Sequence, residues 1–199
     1  MLYIELLAPA GLLDADARAE LARRLSARTL LDAGTDPGVL DLFASMSEVV
    51  VREPESWYRD GAAVTAEGGP RFLVNVYARA WAKEMAGHLI TTVTAELAAL
   101  AAARGWPEPR TTVHVLAMAG YGADGAALGD AELTELVESA RVREPGQAPP
   151  GSYIDPVCGA LVPAEAAVTV ELDGTTYGFC CPGCRGRYVK QRRRDGATA

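Results

Sequence analysis

The sequence predicts an α+β protein: a tandem β-α-β domain with a four-stranded sheet and two helices on one face, followed by a small Cys-rich ββα module. Three observations predict it. A strand–long helix–strand–aromatic/Gly-loop pattern occurs twice within residues 1–128. A segment with three prolines and two glycines in ten residues, REPGQAPPGS (143–152), has the composition of a linker. All four cysteines lie beyond that segment, from Cys158 to Cys184.

The elements follow in order. LYIELLA (2–8) reads as a strand. Asp14 is placed to cap a helix running to about residue 33, with Ala17, Leu21, Leu25 and Leu30 at helical spacing. GTDPG breaks the chain, VLDLFASM is a short helical piece, and SEVVVREP is a second strand ended by Pro54. Trp57, Tyr58 and Gly61 fall in a loop or short edge hairpin. The pattern then returns, with a strand at 71–78, a long helix at 81–104 carrying Leu89, Val93, Leu97 and Leu100, and a strand at 111–118. Leu21 and Leu25 correspond to Leu89 and Val93, and Trp57 and Gly61 to Tyr121 and Gly125, a repeat of about 65 residues. Each β-α-β unit crosses over right-handed, so both helices cover one sheet face, and oligomerisation is the simple cover for the other. Residues 129–152 hold a short amphipathic helix and the linker, and 153–199 hold the module and a basic tail. In the module, VTVELDGTTYGFC reads as a hairpin turning at Asp173-Gly174, and Pro182 sits in the first turn of the helix after it.

A net charge of −7 and a pI near 4.9 argue against a nucleic-acid partner for the whole chain. The cations at Arg185, Arg187, Lys190, Arg192, Arg193 and Arg194 read as a solvated helix end, with an anion or nucleic-acid contact as the alternative. The N-terminus lacks a basic targeting region, and its apolar run is broken by Glu5 and Pro9. No stretch of about 18 uninterrupted apolar residues occurs, so neither a membrane span nor a membrane partner is expected. The expected location is cytoplasmic, where clustered cysteines serve as metal ligands or redox groups more often than as structural disulfides.

A module of about 40 residues buries little apolar area and usually needs a metal or disulfides. Cys158 lies in a Pro-Val-Cys-Gly turn, and Cys180 ends a strand. Cys184 follows one helical turn later on the same side. These three thiolates can converge, and Cys181 is a possible fourth ligand. Such sites suit Zn²⁺ or Cu⁺, and also Hg²⁺. Three roles stay open: a structural zinc knuckle, a site that binds, senses or delivers metal, and a thiol redox centre. The vicinal Cys180-Cys181 pair is not a C-x-x-C, which counts against the last.

DPVCG-x-x-V followed by G-x-x-Y-x-F-C-x-x-x-C resembles the YHS domain, a heavy-metal-binding module related to TRASH domains. The matching residues are Asp155, Pro156, Val157, Cys158, Gly159, Val162, Gly174, Tyr177, Phe179, Cys180 and Cys184. Ala160 stands where that family usually has Met, and Cys181 where it usually has Ser.

The two β-α-β units with their W/Y-x-x-x-G closing loops resemble the tautomerase superfamily, the fold of 4-oxalocrotonate tautomerase and macrophage migration inhibitory factor. The resemblance implies a homotrimer whose sheets face inward. It also implies catalysis by an N-terminal proline, which is absent here: the chain begins Met1-Leu2, and bulky Leu2 disfavours Met removal. Pro70 opens the second repeat, but its nitrogen is an amide with no basic lone pair. Arg52, His114 and Tyr121 remain as weak catalytic candidates. His88, the Glu53/Glu55 pair and the aromatics at 57–58 read as structural or solvated. The expected function is soft-metal binding, buffering, sensing or delivery on a catalytically retired tautomerase-like scaffold. The alternative is a tautomerase, isomerase or hydratase-like enzyme with a structural zinc module.

Overall fold

The computed structural model describes residues 2–31, 34–78, 82–143 and 148–196. Expectations that fall on Met1, on the start of the long helix at 81, on the centre of the linker and on the last residues of the tail lie outside these. In chain order the elements begin with β1 (Leu2–Leu7), α1 (Ala15–Arg24), α2 (Ala27–Leu30), α3 (Pro37–Ser45) and β2 (Glu48–Arg52). The hairpin β3 (Tyr58–Arg59) and β4 (Ala62–Ala63) comes next, then β5 (Arg71–Ala78), α4 (Ala82–Ala103) and β6 (Arg110–Ala117). The rest comprises β7 (Gly122–Ala123), β8 (Ala126–Ala127), α5 (Asp130–Ala140), β9 (Ser152–Ile154), β10 (Leu161–Pro163), β11 (Val168–Leu172), β12 (Thr175–Phe179) and α6 (Pro182–Gly196). Two compact units result. One comprises Met1–Leu30 and Met46–Met118, the other Leu31–Ser45 and Ala119–Ala199.

The first unit is a mixed sheet of order β2-β1-β5-β6. β1 pairs parallel with β2, β5 parallel with β6, and the two β-α-β units meet through the antiparallel pair β1–β5. Alternation along the strands sends Leu2, Ile4, Leu6, Phe72, Val74 and Val76 into the core. Ala17, Leu21 and Leu25 of the first helical turns, and Leu89, Val93, Leu97 and Leu100 of α4, are buried with them. Each such leucine contributes about 1.5–3 kcal/mol by leaving water. The residues Met85–Ala103 of α4 are long and apolar enough, by length and composition, to cross a bilayer. In this fold the helix lays one stripe, Leu89, Val93, Leu97 and Leu100, on β5 and β6, and 28% of the apolar stretch is buried.

The expected helix from Asp14 to about residue 33 is two pieces. Asp14 caps α1, its Oδ1 accepting the Ala17 amide at 2.6 Å. The break comes at Leu25, after which the Ser26 carbonyl accepts the Thr29 and Leu30 amides and starts a new turn. His88 bonds to the Leu30 carbonyl through Nε2 at 2.9 Å, which ties α4 to α2. Glu53, expected to be solvated, accepts the Leu13 amide at 3.0 Å and an ion pair from Arg18. Despite partial burial, those two donors hold its carboxyl below the usual range.

The repeat extends into the closing loops. β3–β4 turns at Asp60 (φ 48°) and Gly61 (φ 74°), and β7–β8 turns at Asp124 (φ 51°) and Gly125 (φ 80°). Two consecutive positive φ values are the type I′ geometry that Asp-Gly favours. The Val64 amide closes on the Trp57 carbonyl at 2.8 Å, and the Leu128 amide on the Tyr121 carbonyl at 2.8 Å.

The sheet face away from the helices carries a polar ladder through all four strands. Arg52 pairs with Glu5 (3.1 Å), Asn75 Nδ2 donates to Glu5 (3.4 Å), and His114 Nδ1 meets Asn75 Oδ1 (2.9 Å). Tyr3 and Tyr77 lie beside it with ring centroids 5.5 Å apart.

The second unit is larger than a ββα module. It adds α3 and α5, which pack together; a Cβ on Gly38 would meet the Ala140 carbonyl oxygen at 1.8 Å, so only glycine permits this approach. Asp36, fully buried, caps α3 through the Gly38 and Val39 amides and also accepts the Val142 and Arg143 amides.

Candidate metal centre

The cysteine-bearing part of the second unit is built from two small sheets and a helix. β9 pairs antiparallel with β10, and β11 with β12. The β11–β12 turn is Asp173 (φ 52°) and Gly174 (φ 72°), the third Asp-Gly turn of this kind among the described residues. Gly178 lies under Tyr153; a Cβ at 178 would sit 2.2 Å from the Tyr153 ring. Phe179 is fully buried against Tyr188, and Tyr188 also packs on Tyr177. This small core fixes the end of β12, where Cys180 follows. Pro182 opens α6, its missing N–H costing nothing in the first turn, and Cys184 comes one turn in.

Asp155, Cys158, Cys180 and Cys184 each present one ligand atom to a common point, all four within 4.8 Å of one another. Cys158 Sγ lies 3.6 Å from Cys180 Sγ, and Cys180 Sγ lies 3.7 Å from Cys184 Sγ. These spacings are too long for a disulfide, and the cysteines are free. They match the edge of about 3.8 Å that a tetrahedral ion with metal–sulfur bonds of about 2.3 Å requires. The donor set of three thiols and a carboxylate thus fits a soft or borderline ion. Asp155 is buried, Cys158 and Cys184 are half-buried and Cys180 faces solvent, which leaves a path for an ion.

Asp155 orders the group. Its Oδ1 accepts the amides of Val157 (2.8 Å) and Cys158 (3.3 Å), an Asx turn across Pro156, and its Oδ2 accepts the amide of Cys180 (2.9 Å). Burial and the neighbouring Cys158 push its carboxyl up to about 7, against those amides. Thiol protons donated by Cys180 and Cys184 hold Cys158 below the ordinary thiol range, and the same sharing pushes Cys180 and Cys184 up. The thiols of Cys180 and Cys184 likewise hold Cys181 low, so Cys158 and Cys181 carry the charge in this cluster, the arrangement an arriving cation exploits.

Among the sequence candidates, Cys158, Cys180 and Cys184 come together. Cys181 is buried beside them, its Sγ accepting the Cys184 amide at 3.4 Å, and stays outside the four-atom group. Asp155 takes the fourth place. Its signal in the sequence was the Asp-Pro dipeptide two residues before Cys158, which marks a turn and not a ligand. Arg52 and His114 stand on the two edge strands of the first unit's sheet, roughly 14 Å apart by strand spacing, and do not converge. Tyr121 opens the β7–β8 hairpin of the second unit. Of the basic tail, Arg192 pairs with Asp173 and Arg187 bonds to Thr134.

No family model matches the chain, and no curated protein matches it. Solved structures similar to part of it include a fused 4-OT wild-type asymmetric trimer, at 17% identity and TM-score 0.45 over 63% of this chain and 94% of that one. A member of the cis-3-chloroacrylic acid dehalogenase family has 18% identity and TM-score 0.44 over 64% and 83%. A macrophage migration inhibitory factor-like protein from Entamoeba histolytica has 10% identity and TM-score 0.40 over 64% and 98%.

Proposed function

We propose that this chain is a soft-metal-binding protein that buffers, senses or delivers an ion held by Cys158, Cys180 and Cys184. The observation that carries this reading is the convergence of three sulfurs and the Asp155 carboxylate within 4.8 Å. Cu⁺ and Zn²⁺ are the ions such thiolates favour, and Hg²⁺ shares that softness. Asp155 is the oxygen donor within reach for an ion that takes four ligands, and Cys181 is a reserve sulfur beside them. On this reading 153–199 is a YHS-like module, 1–128 a tautomerase-like scaffold and 129–152 the connection between them. The scaffold is a homotrimer, because both β-α-β helices of the first unit lie on the opposite side of its sheet and the ladder face needs cover.

Anaerobic purification followed by elemental analysis tests the reading. One equivalent of copper or zinc per chain is expected, with loss of most of it in Cys158→Ser. A wild-type chain that neither carries nor takes up metal would sink the proposal.

A further inference from the structure

The turn that carries Cys158 is gripped from outside the thiol group. Arg141, at the C-terminal end of α5, donates through Nη2 to the carbonyls of Pro156 (2.7 Å) and Val157 (2.9 Å), the two residues just before Cys158. Its own amide closes on the Val137 carbonyl at 3.1 Å, so the guanidinium is anchored to the helix. The next two amides, Val142 and Arg143, donate to Asp36 at 3.2 and 2.8 Å. Gly159, at φ 73°, lies on the same two side chains; a Cβ there would sit 2.7 Å from Asp36 Cβ and 3.3 Å from Arg141 Cγ. On the far side of the turn the Leu161 amide donates to the Gly34 carbonyl at 2.6 Å, which Arg143 Nη1 also reaches at 2.7 Å. The ligand turn, the end of α5 and the turn entering α3 thus form one hydrogen-bonded clamp.

Two features set this clamp apart from ordinary packing. Arg141 Nε is buried without a hydrogen-bond partner, a cost the fold accepts in order to place this guanidinium behind the Cys158 turn. Nη2 alone also serves two successive carbonyls, those of Pro156 and Val157, which fixes the guanidinium against the ligand turn. Three thiolates and a carboxylate bring four negative charges, more than a monovalent or divalent ion cancels, so a fixed cation nearby favours the loaded state.

We propose that Arg141 and Asp36 are positioning residues of the metal centre, and that filling the centre rigidifies residues 34–45 through them. The proposal rests on the metal reading above. An ion that binds only the formed turn stabilises every element clamped to it, and local opening of those elements becomes rarer. Residues 34–45 lie in the chain between α2 and β2, so the effect falls on the connection into the sheet's edge strand.

The test is hydrogen exchange on the whole reduced chain, with and without one equivalent of Cu⁺ or Zn²⁺ under anaerobic conditions. Exchange across 36–45 is expected to slow by about tenfold on loading, while α4 is unchanged. Asp36→Asn is expected to weaken metal binding and, when loaded at excess metal, to show less slowing across 36–45, because its amide N–H₂ cannot accept from Arg143. Arg141→Met, which removes the charge and both donors, is expected to weaken metal binding about tenfold, read by competition against a chelator and by the thiolate-to-metal charge-transfer band, with Arg141→Lys recovering part of the loss. Full loading of the wild type with no change across 36–45 overturns the proposal and leaves the metal reading standing. No uptake by the wild type overturns both. The wild-type comparison decides the matter even where a variant fails to fold.

Discussion

Asp155 Oδ2 accepts the backbone N–H of Cys180 at 2.9 Å, joining the two ends of the thiol group across 25 residues of chain. Together with the amides of Val157 and Cys158 on Oδ1, it fixes where both cysteines start.

Asp155→Ala therefore strands three amides around the centre. Each buried donor left unpaired costs about 1–3 kcal/mol. The variant is expected to melt well below the wild type and to retain little metal. Asp155→Asn keeps the Asx turn through Oδ1 and is expected to fall between the two. Thermal melting and metal content measured on the same samples separate these outcomes. Equal metal content in wild type and Asp155→Ala would show that the carboxylate does not order the site.

Gly178→Ala places a methyl 2.2 Å from Tyr153 Cγ, the stem of the ring and not a yielding tip. Overpacking of this kind costs about 1–3 kcal/mol. Loss of stability confined to the second unit is expected, seen as faster hydrogen exchange in β9 and β12 with the four-stranded sheet unaffected. A second change, Tyr153→Ala, opens the space and is expected to recover part of the loss.

Asp36 predicts an acid limb. Burial raises its carboxyl, but the amides of Val142, Arg143, Val39 and Gly38 outweigh burial and hold it below the ordinary range. A carboxyl lowered on folding contributes stability above its unfolded pKa of about 3.9, and that contribution disappears as pH falls through the folded value. Melting of the wild type is expected to drop below about pH 4. Asp36→Asn keeps the Oδ1 cap but loses the Oδ2 acceptor of the Arg143 amide, so it starts lower at neutral pH by about 1–3 kcal/mol and changes less with acid. A parallel decline of the two proteins would show that this group does not set the limb.

Much of the chain was legible because its patterns are local. The strand RFLVNVYA alternates and becomes β5 at 71–78, and Asp173-Gly174 becomes the β11–β12 turn. What escaped depends on distant partners. Nothing near Asp36 announces that Val142 and Arg143, 106 and 107 residues on, will donate to it, so the recruitment of Leu31–Ser45 into the second unit had no sequence signal. Asp155 makes an Asx turn across Pro156, and that the same turn aims a carboxylate at three sulfurs appears only once β12 and α6 are in place. The break at Leu25–Ser26 escaped because a lone serine is a weak helix stop when apolar spacing continues past it to Leu30.

The ladder across the open sheet face makes the last prediction, which follows from donor and acceptor arithmetic. Arg52 is a cation and Glu5 an acceptor-only carboxylate, with Nε to Oε1 at 3.1 Å. The Asn75 group facing Glu5 is therefore its N–H₂, at 3.4 Å. That orientation turns Asn75 Oδ1 toward His114 Nδ1 at 2.9 Å, and an oxygen there requires Nδ1 to carry the proton. Neutral His114 is thus expected as the Nδ1–H tautomer, with the Nε2 lone pair facing outward from an exposed edge strand. Nitrogen-15 shifts of the imidazole at high pH report this directly. Asn75→Leu is expected to return His114 to the mixture an unconstrained imidazole adopts, and Glu5→Gln to weaken the preference by removing what orients the amide. A wild-type His114 protonated on Nε2 would mean that the ladder does not run in this direction.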